Sequence, residues 1–444
     1  MATSKLNKLI SALVALEFLL LLSAEPARAV PSYARQTGMA CNLCHSAFPE
    51  LTSFGRTFKA GGYTLAQIKQ ITGGEKMAKL ELNTIAPLSL MFQGSFTRTD
   101  EKQPGTQNNN VEFPQQLSLF LAGEITSHVG TFMQVTYTQE EDNLSMDNTD
   151  IRVANQSTLA GKEIIYGLTL NNNPTVEDLW NSTPAWGFPY AAADSVPTPA
   201  AGALVDGALG QAVAGLGAYA LWDNHLYADA TVYRTAEIGQ LQPTDASEDT
   251  IENVAPYWRL AWQQNWGDNC LELGTYGLYA QLYPQGISGQ TDKYSDMAFD
   301  LSYERRFGTD LLSIHGTYIY EDQNLDASHG AGNAQNGSND LNTFRVDGTY
   351  YFDGVAALSL AYFTVWGDSD DLLYSPDQVD GSRNGSPDSD GMIAQVAYYP
   401  WQNVRLSLQY TAYFQFNGSS NDYDGFGRDA SDNNTLYALV WLMW

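Results

Sequence analysis

Residues 403–416, NVRLSLQYTAYFQF, alternate without a break. Val404, Leu406, Leu408, Tyr410, Ala412, Phe414 and Phe416 share one side of an extended chain, and Asn403, Arg405, Ser407, Gln409, Thr411, Tyr413 and Gln415 share the other. Successive side chains of a strand point to opposite faces, so this period of two predicts a strand with one apolar and one polar face. LSLMFQGSFTRT, 88–99, behaves the same way, with Leu88, Leu90, Phe92 and Phe96 opposite Ser89, Gln93, Ser95 and Thr97. About sixteen such runs follow one another, starting near residues 88, 113, 130, 148, 162, 210, 225, 254, 270, 292, 310, 341, 355, 390, 403 and 434. Their length is the ~10 residues of a tilted membrane strand. No stretch after residue 30 supplies the ~18 continuous apolar residues of a spanning helix.

The connections sort into two kinds. SHVG (127–130), LAGK (159–162), WDN (222–224), WGDN (266–269), FGTD (307–310), FDG (352–354) and WQN (401–403) are tight. They alternate with long segments rich in Asn, Asp, Ser and Gly, such as 367–390. Short turns on one side and long loops on the other are the pattern of an outer-membrane barrel. The last run, LYALVWLMW, ends on Trp444 and suits a terminal strand read by outer-membrane assembly, and Tyr and Trp near strand ends suit interfacial girdles. The rival is a soluble sandwich or propeller. It leaves the loop asymmetry unexplained, and no repeat of 40 to 50 residues marks blades. An even strand count places both termini on the short-turn, periplasmic side, with the long loops extracellular. Sixteen strands also leave an aqueous lumen.

The front of the chain is different. Lys5 and Lys8, the apolar LISALVALEFLLLLSA and the small-residue site Ala27-Arg28-Ala29 read as a secretory signal peptide over 1–29. Export leaves Cys41 and Cys44 open to disulfide, metal or haem chemistry. Cys41-Asn42-Leu43-Cys44-His45 favours haem, because two thiols one helical turn apart and an adjacent imidazole are what a covalent c-type haem needs. Cys270 reads as a small packed hydrophobe near a turn. Charge is uneven too. Without 1–29 the chain has 19 basic and 48 acidic residues, a net of −29, yet 30–80 has six basic and two acidic residues, a net of +4. A basic unit and an acidic body attract. Nucleic acid is excluded as a partner for a body this acidic.

PSYARQTGMACNLCHSAFPELTSFGRTFKAGGYTL, 31–65, resembles the front of the fused monohaem cytochrome–porins, outer-membrane c-type cytochromes of which the best known serve ferrous-iron-oxidising bacteria. NNPTVEDLWNSTPAWGFP, 172–189, also resembles a stretch of that family. The resemblance implies one haem c attached at Cys41 and Cys44, with His45 as proximal iron ligand. It implies electron transfer from an extracellular donor, ferrous iron above all, to a periplasmic carrier such as a soluble cytochrome. The expected organisation is therefore a signal peptide (1–29), a small helical haem unit (30–80) plugging the periplasmic side or lumen, and a mostly β transmembrane antiparallel barrel (81–444) in contact with outer-membrane lipid.

The second axial ligand is open. Met91 falls on the odd, lumen-facing side of the first strand near its periplasmic end and is the first choice. His315, His225 and Met77 follow, and Met39 stands too near Cys41 to fold back. The long loop 172–209, with Trp180, Trp186, Phe188 and Tyr190, is expected to fold inward and shield the haem. EEDNLSMDNTD (140–150) and DSDD (368–371) read as solvated acidic loops, with cation binding as the minor alternative. No Ser-His-Asp set, phosphate loop or zinc spacing suggests other chemistry. Two further functions stay in view: a transport porin with a haem plug, and a haem enzyme such as a peroxidase.

Overall fold

The computed structural model describes residues 31–46, 48–64, 70–72, 81–138, 142–236, 249–284 and 286–444. The expected leader, 1–29, and Met77 lie outside the described residues. Sixteen strands make the wall: β1 (Leu88–Thr99), β2 (Asn110–Thr126), β3 (Val129–Thr138), β4 (Asn143–Leu159), β5 (Lys162–Asn171), β6 (Val213–Trp222), β7 (Leu226–Thr235), β8 (Ala255–Trp266), β9 (Asn269–Tyr283), β10 (Asp292–Phe307), β11 (Asp310–Asn324), β12 (Ser338–Phe352), β13 (Ala356–Gly367), β14 (Ser389–Trp401), β15 (Val404–Gln415) and β16 (Thr435–Met443). Each starts within five residues of its expected position. Neighbours in sequence pair antiparallel, and β16 closes on β1 from Thr435↔Thr99 to Met443↔Met91. The fold is a closed antiparallel barrel with no free edge.

The alternation decides which face meets what. Leu168, Leu170, Leu216, Leu358, Leu360, Val396 and Leu408 are exposed on the outside, while Ser89, Gln93, Gln263, Gln395 and Gln409 are buried inside. An apolar outer belt around a polar interior is the arrangement a bilayer requires of a barrel. Trp266, Phe307 and Phe352 each stand exposed beside a tight turn, forming part of an aromatic rim. Those turns need left-handed backbone. Ala160 and Gly161 have φ of 54° and 78°, which suits the two-residue hairpin between Leu159 and Lys162, and Asp353 and Gly354 have 49° and 66° in the three-residue turn between Phe352 and Ala356.

One expected loop is strand instead. β4 begins at Asn143, so most of EEDNLSMDNTD lies in the wall. The register to β3 breaks between Met133 and Val135, leaving Asp147 and Asn148 unpaired in a bulge.

The front of the chain lies inside the barrel. Helices α1 (Pro31–Thr37), α2 (Cys41–Cys44) and α3 (Ser53–Ala60) precede β1. Thr52 caps α3 by accepting the Gly55 N–H at 3.1 Å. Gly55 is required there, since a Cβ would stand 2.1 Å from the Cys44 carbonyl oxygen. On the wall, Gly130 gives the same close approach to the Gly62 carbonyl. Ser32 N–H donates to Ser89 Oγ at 2.8 Å, Tyr33 OH to Thr131 O at 2.7 Å, and Tyr63 OH to Asp150 Oδ2 at 2.6 Å. The opposite charges meet once among the described residues, in Arg56–Glu304 at 2.6 Å. Arg35 and Lys59 bond to backbone carbonyls instead.

Candidate haem-binding site

The CNLCH turn is held by its neighbours. Thr52 N–H donates to Cys44 O at 2.9 Å and Ser46 N–H to Glu50 O at 3.1 Å, so α2 and α3 are clamped back to back. The clamp turns Cys41, Cys44 and His45 toward a cavity of about 370 Å³ between the plug and the wall of β1 to β3. Aromatic rings form most of the rest: Tyr33, Phe48 and Phe58 from the plug, and Phe120, Phe132 and Trp441 from the wall. Phe48 meets Trp441 edge-on at 5.1 Å. The aromatic side of the cavity suits a flat hydrophobic cofactor, while Gln93, Gln116, Gln134, Asp147 and Asn148 give its other side a polar wall.

The titratable groups are in the right states. His45 Nδ1 donates to the Pro49 carbonyl at 3.2 Å, and a carbonyl can only accept. That fixes the proton on Nδ1 and leaves Nε2 bare. Burial lowers His45 to about 4, so the ring is a neutral imidazole at neutral pH. Burial, then Cys41, raises the Cys44 thiol to about 11. Two thiols, one bare imidazole nitrogen and one thioether thus border a single apolar space. That donor set fits a c-type haem.

Met91 is the thioether. It is 3% exposed, faces inward from β1 as the alternation requires, and lines the same cavity. Gln93 Nε2 donates weakly to its sulfur at 3.9 Å. Met39 lines the cavity as well. His315 also faces inward but lies on another cavity, bonded through Nδ1 to Asp347 at 3.1 Å. His225 sits at a tight turn with Nδ1 on Gln263 O at 2.8 Å, away from Cys41 and Cys44.

The loop between β5 and β6 enters the lumen. Asn181, Trp186 and Tyr190 reach the cavity that Cys41, Cys44 and His45 border, whereas Trp180 turns away to donate to Gln263 Oε1 at 2.7 Å and Phe188 faces the second cavity. Four hydrogen bonds tie this loop to the plug among the described residues. Lys59 Nζ donates to Val176 O at 2.7 Å and Asp178 O at 2.6 Å, and Leu51 N–H donates to Asn181 Oδ1 at 3.2 Å. Glu50 accepts from Tyr190 OH at 2.8 Å and from Tyr351 OH of β12 at 2.7 Å. Burial holds the Glu50 carboxyl above its usual range.

Sequence reasoning missed Glu50, Lys59 and Trp441 as parts of the site. Trp441 was reachable, since it stands opposite Leu436, Ala438, Val440 and Leu442 in the alternation. Glu50 and Lys59 carry no such signal, because their partners come from distant strands and loops. Cys270 is more than packing: its sulfur accepts from Arg56 Nη2 at 3.4 Å and so touches the plug. The acidic stretch at 368–371 is partly consumed by backbone, as Asp370 accepts the N–H groups of Gln335, Asn336, Leu372 and Leu373. Among the described residues no group of three His, Cys, Asp or Glu is placed to hold a metal ion.

No family model and no curated protein matches the chain. Solved outer-membrane structures do. The anion-selective porin from Comamonas acidovorans aligns at a TM-score of 0.48 and 12% identity over 80% of this chain and 98% of that one. The outer-membrane channel DcaP of Acinetobacter baumannii aligns at 0.47 and 13% identity over 80% and 96%, and OmpT of Vibrio cholerae at 0.45 and 12% over 80% and 98%. At these identities the likeness concerns the fold alone. The chain is a porin-like barrel with its own N-terminal segment folded inside.

Proposed function

We propose that this protein is an outer-membrane cytochrome–porin that passes single electrons through the barrel wall region by one haem c. The observation that carries the reading is the convergence of Cys41, Cys44, His45 and Met91 on one aromatic cavity inside a transmembrane barrel. Cys41 and Cys44 would hold the haem by thioether bonds, and His45 Nε2 and the Met91 thioether would be the side chains offered to its iron. The haem supplies one reversible electron-accepting site at a depth that neither a soluble donor nor a soluble acceptor reaches alone. The chain's own residues do the rest. Pro49 fixes the imidazole tautomer through Nδ1. Phe48, Phe120, Phe132 and Trp441 keep water away, which favours the less charged, reduced form. Trp186 and Tyr190 close the cavity from the long-loop side.

The long loops face the cell exterior and the termini the periplasm. The donor is ferrous iron, and a soluble periplasmic cytochrome takes the electron onward. Outer-sphere transfer needs no general acid or base. With His45 and Met91 both ligating, the reduction potential would be raised and the iron would be suited to electron transfer rather than peroxidase chemistry.

Three measurements test this. The protein purified under denaturing conditions should retain haem, and the Cys41→Ser/Cys44→Ser variant should lose it; covalent haem surviving in the variant would sink the reading. In stopped flow the oxidised haem should be reduced on mixing with ferrous iron. Met91→Ala should lower the potential and let carbon monoxide bind the reduced haem. An unchanged spectrum and potential in that variant would remove Met91 from the iron.

A further inference from the structure

A buried cation stands behind the aromatic wall of the site. Arg405 faces inward from β15, at an odd position of the alternating run, and is 5% exposed. Its guanidinium carbon lies 5.4 Å from the centroid of the Trp441 ring and 5.8 Å from that of Tyr190. Both rings line the cavity that Cys41, Cys44, His45 and Met91 border. One layer of aromatic rings thus separates the charge from that cavity. A second cavity, of about 500 Å³, lies between the inward loop and the wall of β11 to β16. Gln409, further along β15, lines it, but Arg405 lines neither space. The guanidinium sits in dry packing between the two.

Its charge is uncompensated. A guanidinium stays protonated in proteins. Arg405 Nη2 donates to Gln395 Oε1, a neutral amide, at 3.2 Å, while Nε and Nη1 have no hydrogen-bond partner. No carboxylate among the described residues lies within salt-bridge distance of it. Other buried arginines of the lumen are matched: Arg56 by Glu304, Arg152 by Asp150, and Arg259 by Asp178, Glu272 and Asp300. Glu50 of the plug bonds the same Tyr190 through its hydroxyl, but burial holds that carboxyl toward its neutral acid. Asp347 is bonded to His315. The two ring faces attract the cation without neutralising it. A buried charge left unpaired weakens a fold, and a group of this kind calls for a role other than stability.

Resting on the cytochrome reading, we infer that Arg405 sets the reduction potential of the haem, as a fixed positive charge behind Trp441 and Tyr190 that strengthens the iron's hold on one electron. Reduction of ferric iron lowers the charge of the site by one; no bond is made or broken and no proton moves. The cation therefore disfavours the oxidised form more than the reduced one. In water such an interaction is slight, and in a dry wall of low dielectric it is larger. Mobile salt screens it little, because the charge is buried. Arg405 touches no reacting atom and acts through space.

Potentiometric titration of the purified full-length protein, followed by haem absorbance, tests this. Arg405→Met keeps the length and removes the charge. It should shift the equilibrium toward oxidised haem by about tenfold, which is ~59 mV downward for one electron, and the shift should be equal in low and high salt. Arg405→Lys, which keeps the charge, should retain most of the wild-type potential. Heating in detergent gives a second readout. Because methionine removes an uncompensated buried charge, the Arg405→Met barrel should unfold no lower than wild type. An unshifted potential in the assembled, haem-bearing Arg405→Met protein would overturn the inference. So would an equal fall in the methionine and lysine variants, or a fall accompanied by a lower unfolding transition, since a merely structural arginine gives those results. If Arg405→Met fails to assemble, Arg405→Gln decides, keeping a hydrogen-bond donor without the charge. Absence of covalent haem from wild type would overturn the cytochrome reading and this inference with it, whereas an unshifted potential in a haem-bearing variant overturns this inference alone.

Discussion

Along β4 to β10 the lumen is filled, and along β11 to β16 a chamber is left open. The filled half is built from buried charge. Arg152 bonds Asp150 at 2.7 Å and the Glu177 carbonyl at 3.2 Å while lying 4.7 Å over the Tyr219 ring. Arg259 gathers Asp178, Asp300 and Glu272 at 3.0, 2.8 and 3.3 Å. Both arginines reach the stretch PTVEDLWNST, 174–183, and pin it. The following stretch, GFPYAAADSVPTPAAG at 187–202, has small residues and one acid, and it cannot span the remaining width. The two halves of one loop thus divide the lumen by side-chain size and charge. One half seats the plug, and the other leaves a path beside it.

The largest expected effect breaks the filled half. Arg259→Met keeps side-chain length but strands three buried carboxylates without their cation. Removing one partner of a buried ionic set costs about 3–5 kcal/mol. Asp178 would be released and the loop with it. Heating in detergent, followed by the mobility shift between folded and unfolded barrel, should give a clearly lower transition for the variant. An unshifted transition would mean the charges at β8 to β10 do not hold the loop.

A smaller effect sharpens the comparison through pH. Lys59 is buried under the filled half, with Nζ on two loop carbonyls and 4.6 Å over the Trp186 ring. Burial first, then Arg152, lowers it to about 7, although Asp150, Asp178 and Glu177 pull the other way. The unfolded lysine titrates near 10.5. Between these values the folded form binds fewer protons, so plug seating should tighten as pH rises from 7 toward 10.5. The protection factor of the α3 amides, exchange taken relative to its base-catalysed intrinsic rate, should rise over that range, and Lys59→Met should flatten the trend. Equal slopes in both proteins would assign the effect to another group.

How much of this was legible in the sequence differs between wall and interior. The wall follows from a local rule, since each residue's face depends on its neighbours one and two positions away. Leu168, Met91 and His315 all face the side that the alternation assigns. The Cys-x-x-Cys-His turn is local as well, five residues long. The seat is not. Glu50 meets Tyr190 and Tyr351 across 140 and 301 residues, and Arg259 meets Asp178 across 81. Inward-facing residues of β4 to β15 mix polar side chains with tyrosines and small apolar ones such as Tyr257, Tyr276, Ala280 and Ile319, and alternation cannot say which will be paired and which left facing space. The bulge at Asp147 and Asn148 shows the other limit. A two-residue break of register turned an expected loop into wall lining.

The smallest expected effect lies in the open half, at Thr343. Its hydroxyl is buried and makes no hydrogen bond within the protein. A threonine in the filled half, such as Thr169, bonds Asp150 at 2.9 Å, and its hydroxyl belongs to a network. Valine has nearly the shape of threonine and the same preference for strand. Thr169→Val would remove a bond to a buried carboxylate, whereas Thr343→Val removes a hydroxyl that nothing within the protein satisfies. Exchanging such a group for an apolar one of like shape is close to neutral or slightly stabilising. The barrel transition of Thr343→Val should therefore stay within about 0.5 kcal/mol of wild type, the range of changes away from special features. A loss of more than that would show that Thr343 belongs to a structural network after all, and that the open half is packed by the same logic as the filled one. A neutral transition would separate the two halves by packing: the buried hydroxyl of Thr169 belongs to a network that holds the fold, and that of Thr343 does not.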